Sequence, residues 1–153
     1  MKRHEALHPL SHHHHHALMV ALDFKRAGTE KWSKTYSELI KELEVFWEKD
    51  GENHFLDEET LLFPIYYVYA DDPDEDLVKE ALYQHTKIRG MVKELLNLPA
   101  KNYDKMNELG QLLDEHIRLE ERKLFPLIEA AVPDDPLYEA RGGFHKDSVS
   151  GVD

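Results

Sequence analysis

Two segments of this chain share one pattern: HFLDEETLLFP from His54 to Pro64, and HIRLEERKLFP from His116 to Pro126. In an α-helix, positions four apart lie on one face, a turn above each other. Each copy therefore aims an imidazole and a carboxylate the same way, His54 with Glu58 and His116 with Glu120. Two such helices set face to face can hold two metal ions with carboxylate bridges between them. A chain built around this repeat is expected to be all-α.

Turn signals divide the chain into four helical stretches. Ser11 is read as the N-cap of a first helix that runs to about Ala27 and is ended by Gly28. Thr29 opens a long second helix to about Tyr69, closed by Asp-Asp-Pro at 71–73, with Gly51 as a weak point. A third runs from about Asp74 to Leu98, and a fourth from Asn102 or Asp104 to near Val132. Pro64 and Pro126 fall late in helices two and four and are expected to kink them. No stretch alternates with a period of two, so no sheet is expected. Short connections predict an up-down-up-down four-helix bundle over 1–132, with an irregular tail over 133–153.

The apolar stripe of each helix is interrupted by polar residues. Helix one gives Leu7, Leu10, His14, Ala17, Ala21 and Phe24. Helix two gives Leu43, Trp47, His54, Glu58, Leu61, Ile65 and Val68. Helix three gives Val78, Ala81, His85, Ile88, Val92 and Leu95. Helix four gives Met106, Leu109, Leu113, His116 and Glu120, then Leu124 and Leu127 close to phase. A single core histidine is commonly just a hydrogen-bonded one, and a single His/Glu pair is commonly a surface ion pair. Four inward histidines and two inward glutamates on four helices are another matter, because each unpaired buried carboxylate costs several kcal/mol. A metal pair compensates directly, and hard oxygen plus imidazole donors suit iron or manganese. Glu59 and Glu121, second in each Glu-Glu doublet, are read as solvated neighbours.

Five of the eleven histidines are consecutive, His12 to His16. The run has the look of an affinity tag, yet it lies inside the chain and passes without a linker into the apolar segment ALMVAL. Phase selects His14 as the inward residue and His15 as second choice, with His12, His13 and His16 at the surface.

Composition narrows the function classes. A net charge of −12 argues against nucleic acid or an anionic membrane as partner. The absence of cysteine removes disulfides, thiolate catalysis, Fe–S clusters and Cys-based zinc sites. No apolar run approaches the ~20 residues needed to cross a bilayer, and the first residues lack a signal-peptide h-region. The cytoplasm is the expected compartment.

Over roughly residues 7 to 131 the chain resembles the hemerythrin-like, or HHE cation-binding, family: LSHHHHHAL, HFLDEETLLFP, the histidine of YQHTKIRG, and HIRLEERKLFP, in that order. The resemblance implies a four-helix bundle around two iron ions, with manganese and zinc as alternative metals. It makes Glu58 and Glu120 the carboxylate bridges, His14 and His54 the ligands of one metal, and His85 and His116 those of the other. The oxygen-carrying members have a further histidine one turn away on helix three; here the residues four before and four after His85 are Ala81 and Arg89. Their last carboxylate is an aspartate five positions after its histidine, whereas Glu120 follows His116 by four. Six ligands leave each metal an open position even with a shared oxo or hydroxo group. Glu59, Glu121, Tyr66 or Tyr67 are the candidates to fill one.

The leading expectation is a di-iron protein that binds O2 or a related small ligand (NO or peroxide) for sensing, scavenging or storage. Its dry pocket is expected among Leu61, Ile65, Leu113 and Leu124. The alternatives are a peroxidase-like or iron-oxidising enzyme at the same site, or a non-redox module for iron handling or signalling. A ferritin-like di-iron enzyme fits less well, since that pattern uses Glu-x-x-His and more carboxylates than histidines.

Overall fold

A computed structural model describes residues 2–145, and over them the protein is all-helical. A 3-10 turn, Glu5–Leu7, leads into α1, His8–Arg26. Helix α2 covers 36–69, α3 is Glu75–Asn97, α4 covers 103–131, and α5 is Asp134–Gly143. Helix α1 packs on α2 and α4, and α3 packs on the same two.

The helix ends follow local chemistry, and two differ from the sequence reading. Pro9 sits in the first turn of α1, where its missing N–H costs nothing. Ser11 is thus inside the helix and caps nothing; its hydroxyl donates to Glu121 Oε2 at 2.7 Å. Gly28 takes φ +78° just beyond α1, the left-handed conformation a helix exit favours. Helix α2 starts at Tyr36, not at Thr29, because Thr35 and Glu38 form a reciprocal capping box. Thr29 closes a turn onto Arg26 O instead. Asp74 and Asn102 cap α3 and α4 through their side chains.

Helices α2 and α4 are not regular. In α2, π turns at Trp47–Gly51 and Glu58–Leu62 interrupt the α-helical pieces Tyr36–Phe46, Glu52–Asp57 and Phe63–Tyr69. Helix α4 has one at Glu120–Leu124, between Tyr103–Leu119 and Phe125–Ala131. Each motif glutamate opens such a turn, and the N–H five residues on closes it: Phe63 donates to Glu58 O, Phe125 to Glu120 O. The next residue is Pro64 or Pro126, which has no N–H with which to continue the wide turn. The prolines therefore delimit a π turn at the site, a place where such turns recur.

A π turn adds one residue, so everything after it changes face by one position. The expected stripe of Leu61, Ile65 and Val68 is displaced. Leu62, Phe63 and Tyr66 are buried in their stead, while Val68 is 73% exposed. In α4, Ile128 replaces Leu127, which is 38% exposed. The stripes expected in α1, in α3, and in α4 up to Glu120 are all buried.

The tail expected to be irregular from 133 is helical over Asp134–Gly143. Pro133 and two aspartates start it, and Leu137, Ala140 and Phe144 bury against the lower core. His145 anchors its end, with Nδ1 2.6 Å from Asp57 Oδ1 and its backbone N–H on Asp57 Oδ2. Residues 146–153 of that expectation lie outside the described residues.

The core has two parts. One runs from Ala17 to Phe24 on α1 and across to Ile88–Leu95 and Met106–Ile117; the other, the lower core, gathers Leu7, Leu10, Leu62, Val78, Leu124 and Leu137. Along α1 to α4 the polar residues of interest fall between them. Gly110 lets α4 approach α1 closely, since a Cβ there would meet Ala21 O and Lys25 N at 2.8 Å.

Candidate metal centre

His14, His54, Glu58, His85, His116 and Glu120 come together in the layer between the two cores, each buried. They form two overlapping groups. His14, His54, Glu58 and Glu120 each place one donor atom within 4.8 Å of the others, and so do Glu58, His85, His116 and Glu120. The two glutamates belong to both groups. His54 Nε2 lies 3.0 Å from Glu58 Oε2, and His85 Nε2 lies 3.0 Å from Glu58 Oε1. His14 Nε2 is 2.8 Å from Glu120 Oε1, and His116 Nε2 is 3.3 Å from Glu120 Oε2.

These contacts leave much of the polarity unmet. Nε2 of His54, His85 and His116, both oxygens of Glu58, and Glu120 Oε2 are buried without an aligned hydrogen bond among the described residues. Orphaned polar atoms in a protein interior call for a compensating group. Four imidazole nitrogens and two carboxylates aimed at a common layer fit cations with mixed N and O preference.

The far side of each imidazole is held as well. His14 Nδ1 donates to Glu121 Oε2 at 2.6 Å, His85 Nδ1 to Glu59 Oε2 at 2.6 Å, and His116 Nδ1 to Gln84 Oε1 at 2.7 Å. Nδ1 of His54 lies 3.2 Å from Nδ1 of His13. A proton held at Nδ1 leaves the Nε2 lone pair for the centre and fixes the ring. Glu59 and Glu121 are therefore neither solvated bystanders nor candidates for an open position. Tyr66 is spoken for too, since its hydroxyl accepts the Asp74 N–H at 3.0 Å, and Tyr67 is 41% exposed.

A family model for the hemerythrin HHE cation-binding domain matches residues 6–128. The chain belongs to that family. Comparison with curated proteins and with solved structures finds no match. As a hemerythrin HHE domain, the protein places its buried His/Glu cluster where the doubled motif puts it, and the cluster is compatible with metal binding.

Electrostatics of this HHE domain follow from the burial of two glutamates. Burial lowers the pKa of His54 and His85, but Glu58, Glu120 and, for His85, Glu59 override it, holding them up at about 10 and about 11. His14 is raised in the same way, against its burial, by Glu120 and Glu121. Burial pushes Glu120 up, yet His116, His14 and His54 take it well below the carboxylate range. Glu59 and Glu121 also resist burial and sit at about 2, Glu59 through His85 and Arg89, Glu121 through His14 and Ser11. The carboxylates demand positive charge, which protons on the imidazoles or metal cations can supply.

Phase within the histidine run needs one correction. His14 faces the centre and His15 is exposed, but His13, expected at the surface, is buried. The inward stripe of α1 is wide enough for both, because Leu10, His13, His14 and Ala17 span about a third of the helix circumference. His16 is half-buried, its Nδ1 3.0 Å from Oδ2 of the buried Asp50.

Beside His14, His54 and His116 the HHE domain encloses a cavity of about 20 Å³, room for a molecule of water size. Its other walls include Ala17, Phe46, Phe55, Leu113 and Ile117, with His13 and Asp50 as polar members. Of the expected pocket only Leu113 takes part. Leu124 is in the lower core, and the π turn rotates Leu61 and Ile65 away. The sequence does not single out His13, Gln84 and Arg89 as site residues. The only signal for Arg89 is its place four residues after His85, and for Gln84 its place one before; neither spacing distinguishes a site partner from a surface residue.

No described helix is long and apolar enough to cross a membrane.

Proposed function

We propose that this HHE domain is an up-down-up-down four-helix bundle that holds two iron ions and binds O2 or a related small ligand, NO or peroxide, in the cytoplasm. The observation that carries the reading is the pair of four-donor groups sharing Glu58 and Glu120. His14 and His54 would hold one ion, His85 and His116 the other, and each glutamate would offer one oxygen to either side. Iron in the reduced state would supply the electrons that reductive binding of such a ligand requires.

The chain's own residues define the rest. Burial of all six donors excludes bulk water and strengthens every charge interaction among them. The cavity beside His14 and His54 is of diatomic scale and walled mainly by apolar side chains, which favours a small uncharged ligand. The net charge of −12 makes nucleic acid an unsuitable partner.

A second reading, a peroxidase-like enzyme, draws on His13 and Asp50 in that cavity, which add groups able to move a proton. Turnover of peroxide above that of free iron, lost in Asp50→Asn, is its expected signature.

The test is metal content per chain on anaerobically purified protein, with the visible spectrum before and after air. Two irons and a new absorption in air support the reading. Zinc alone, no metal, or iron with an unchanged spectrum overturns it.

A further inference from the structure

Two arginines that play no part in the proposed ligand set take up matching positions behind it. Arg89 donates through Nη1 and Nη2 to Glu59 Oε2 and Oε1, at 2.9 and 3.1 Å. Glu59 in turn accepts from His85 Nδ1. The His85 ring stacks on Phe55 with centroids 3.8 Å apart, and the Arg89 guanidinium carbon is 5.5 Å from the same ring. On the other side, Arg3 Nη2 donates to the backbone oxygen of Glu121 at 2.6 Å and to its Oε1 at 3.3 Å. Glu121 accepts from His14 Nδ1, His14 stacks on Phe125 at 5.4 Å and 15°, and Arg3 is 5.5 Å from that ring.

The sequence repeat does not account for this likeness. Arg89 follows His85 by four on α3, whereas Arg3 precedes His14 by eleven and comes from before the first turn. Phe55 and Phe125 occupy different places in the two motif copies. Only the glutamates correspond. The same four-part arrangement, arginine on glutamate on histidine over a phenylalanine, is thus reached by two routes, once in each donor group. The remaining histidine of each group leans on an imidazole or an amide, His13 for His54 and Gln84 for His116.

We infer that Arg3 and Arg89 are paired positioning residues that set the reduction potential of the metal pair, through Glu121–His14 and Glu59–His85; the inference rests on the proposed iron reading. A carboxylate accepting the Nδ1 proton makes the imidazole a stronger donor at Nε2 and favours the oxidised metal. The guanidinium draws part of that charge away and favours the reduced metal. Arginine and glutamate therefore act in opposite directions.

The experiment is a mediated spectroelectrochemical titration of the iron-loaded full chain, electrons coming from the electrode, with iron content measured alongside. R3Q and R89Q are expected to lower the midpoint potential, E59Q and E121Q to raise it, and R3K and R89K to lie near wild type. A purely structural role predicts shifts of one sign, or iron loss without a shift. In metal-free protein, imidazole ¹⁵N spectra should show the Nδ1 protons of His14 and His85 exchanging faster in R3Q and R89Q. Arginine and glutamate variants that shift the same way, or loaded variants at the wild-type potential, overturn this inference alone. A wild type that takes up no iron overturns the metal reading and this inference with it. Should R3Q or R89Q fail to fold, R3K and R89K carry the comparison: potentials displaced from wild type as far as those of E59Q and E121Q overturn it.

Discussion

In the first motif copy His54 turns its Nε2 to Glu58 and rests its Nδ1 against another imidazole, that of His13. In the second, His116 turns its Nε2 to Glu120 and rests its Nδ1 on the amide oxygen of Gln84. Toward the centre the copies are alike: a histidine, a glutamate four residues later, a π turn opened by that glutamate, and a proline just beyond. Away from it they differ, because their supports come from α1 in one case and α3 in the other. What faces inward is set by spacing within one helix. What faces outward is set by whichever helix happens to pack behind.

Four results would break or sharpen that comparison. The largest effect is expected at the shared glutamates. On the proposed two-ion reading, Glu58→Ala and Glu120→Ala should each abolish uptake of both ions, since each belongs to both donor groups. Metal analysis showing one ion retained in either variant would mean that the copies are not equivalent bridges. Next come the residues that the π turns bring inward. Leu62→Ala and Ile128→Ala, both at 0% exposure, should each cost about 2–5 kcal/mol in denaturant unfolding of the metal-free protein. Without the extra residue, Leu61 and Leu127 would take that role.

The supports should separate the copies more gently. His13→Ala and Gln84→Ala are each expected to weaken metal affinity about 10–100-fold. Only His13→Ala should also alter small-ligand release, because His13 lines the cavity and Gln84 does not. Competition against a chelator measures the first effect and stopped-flow release the second. Smallest of all, Leu127→Ala, at a position 38% exposed, should cost under about 1 kcal/mol. A larger loss would place Leu127 in the core and contradict the phase change.

Much of this was legible from the chain alone where helices are regular. His14 and His85 could be placed from Leu10, Ala17, Ala81 and Ile88 because α1 and α3 keep one period through the site. Past Glu58 and Glu120 the same stepping chose Leu61, Ile65 and Leu127, each about one position off. The prolines suggest kinks in the sequence, whereas their placement marks the end of a wider turn. Capping residues are legible in principle: Thr35 and Glu38 form the standard spacing, but Thr29, nearer the glycine, competes with them in the sequence.

By itself the sequence determined the all-helical class, the six polar residues placed in the core, and the face each occupies up to the turns that Glu58 and Glu120 open. These rest on contacts within a helical turn or two, and a repeating period encodes them. The tertiary structure decided which histidine leans on His13, Gln84, Glu59 or Glu121, where the cavity lies, and that Arg3 reaches Glu121 across 118 positions of chain. It also gave the last helix its place, with Leu137 buried and His145 on Asp57. Such partners meet only because separate helices pack together, and a hydrogen bond between distant positions leaves no period to read.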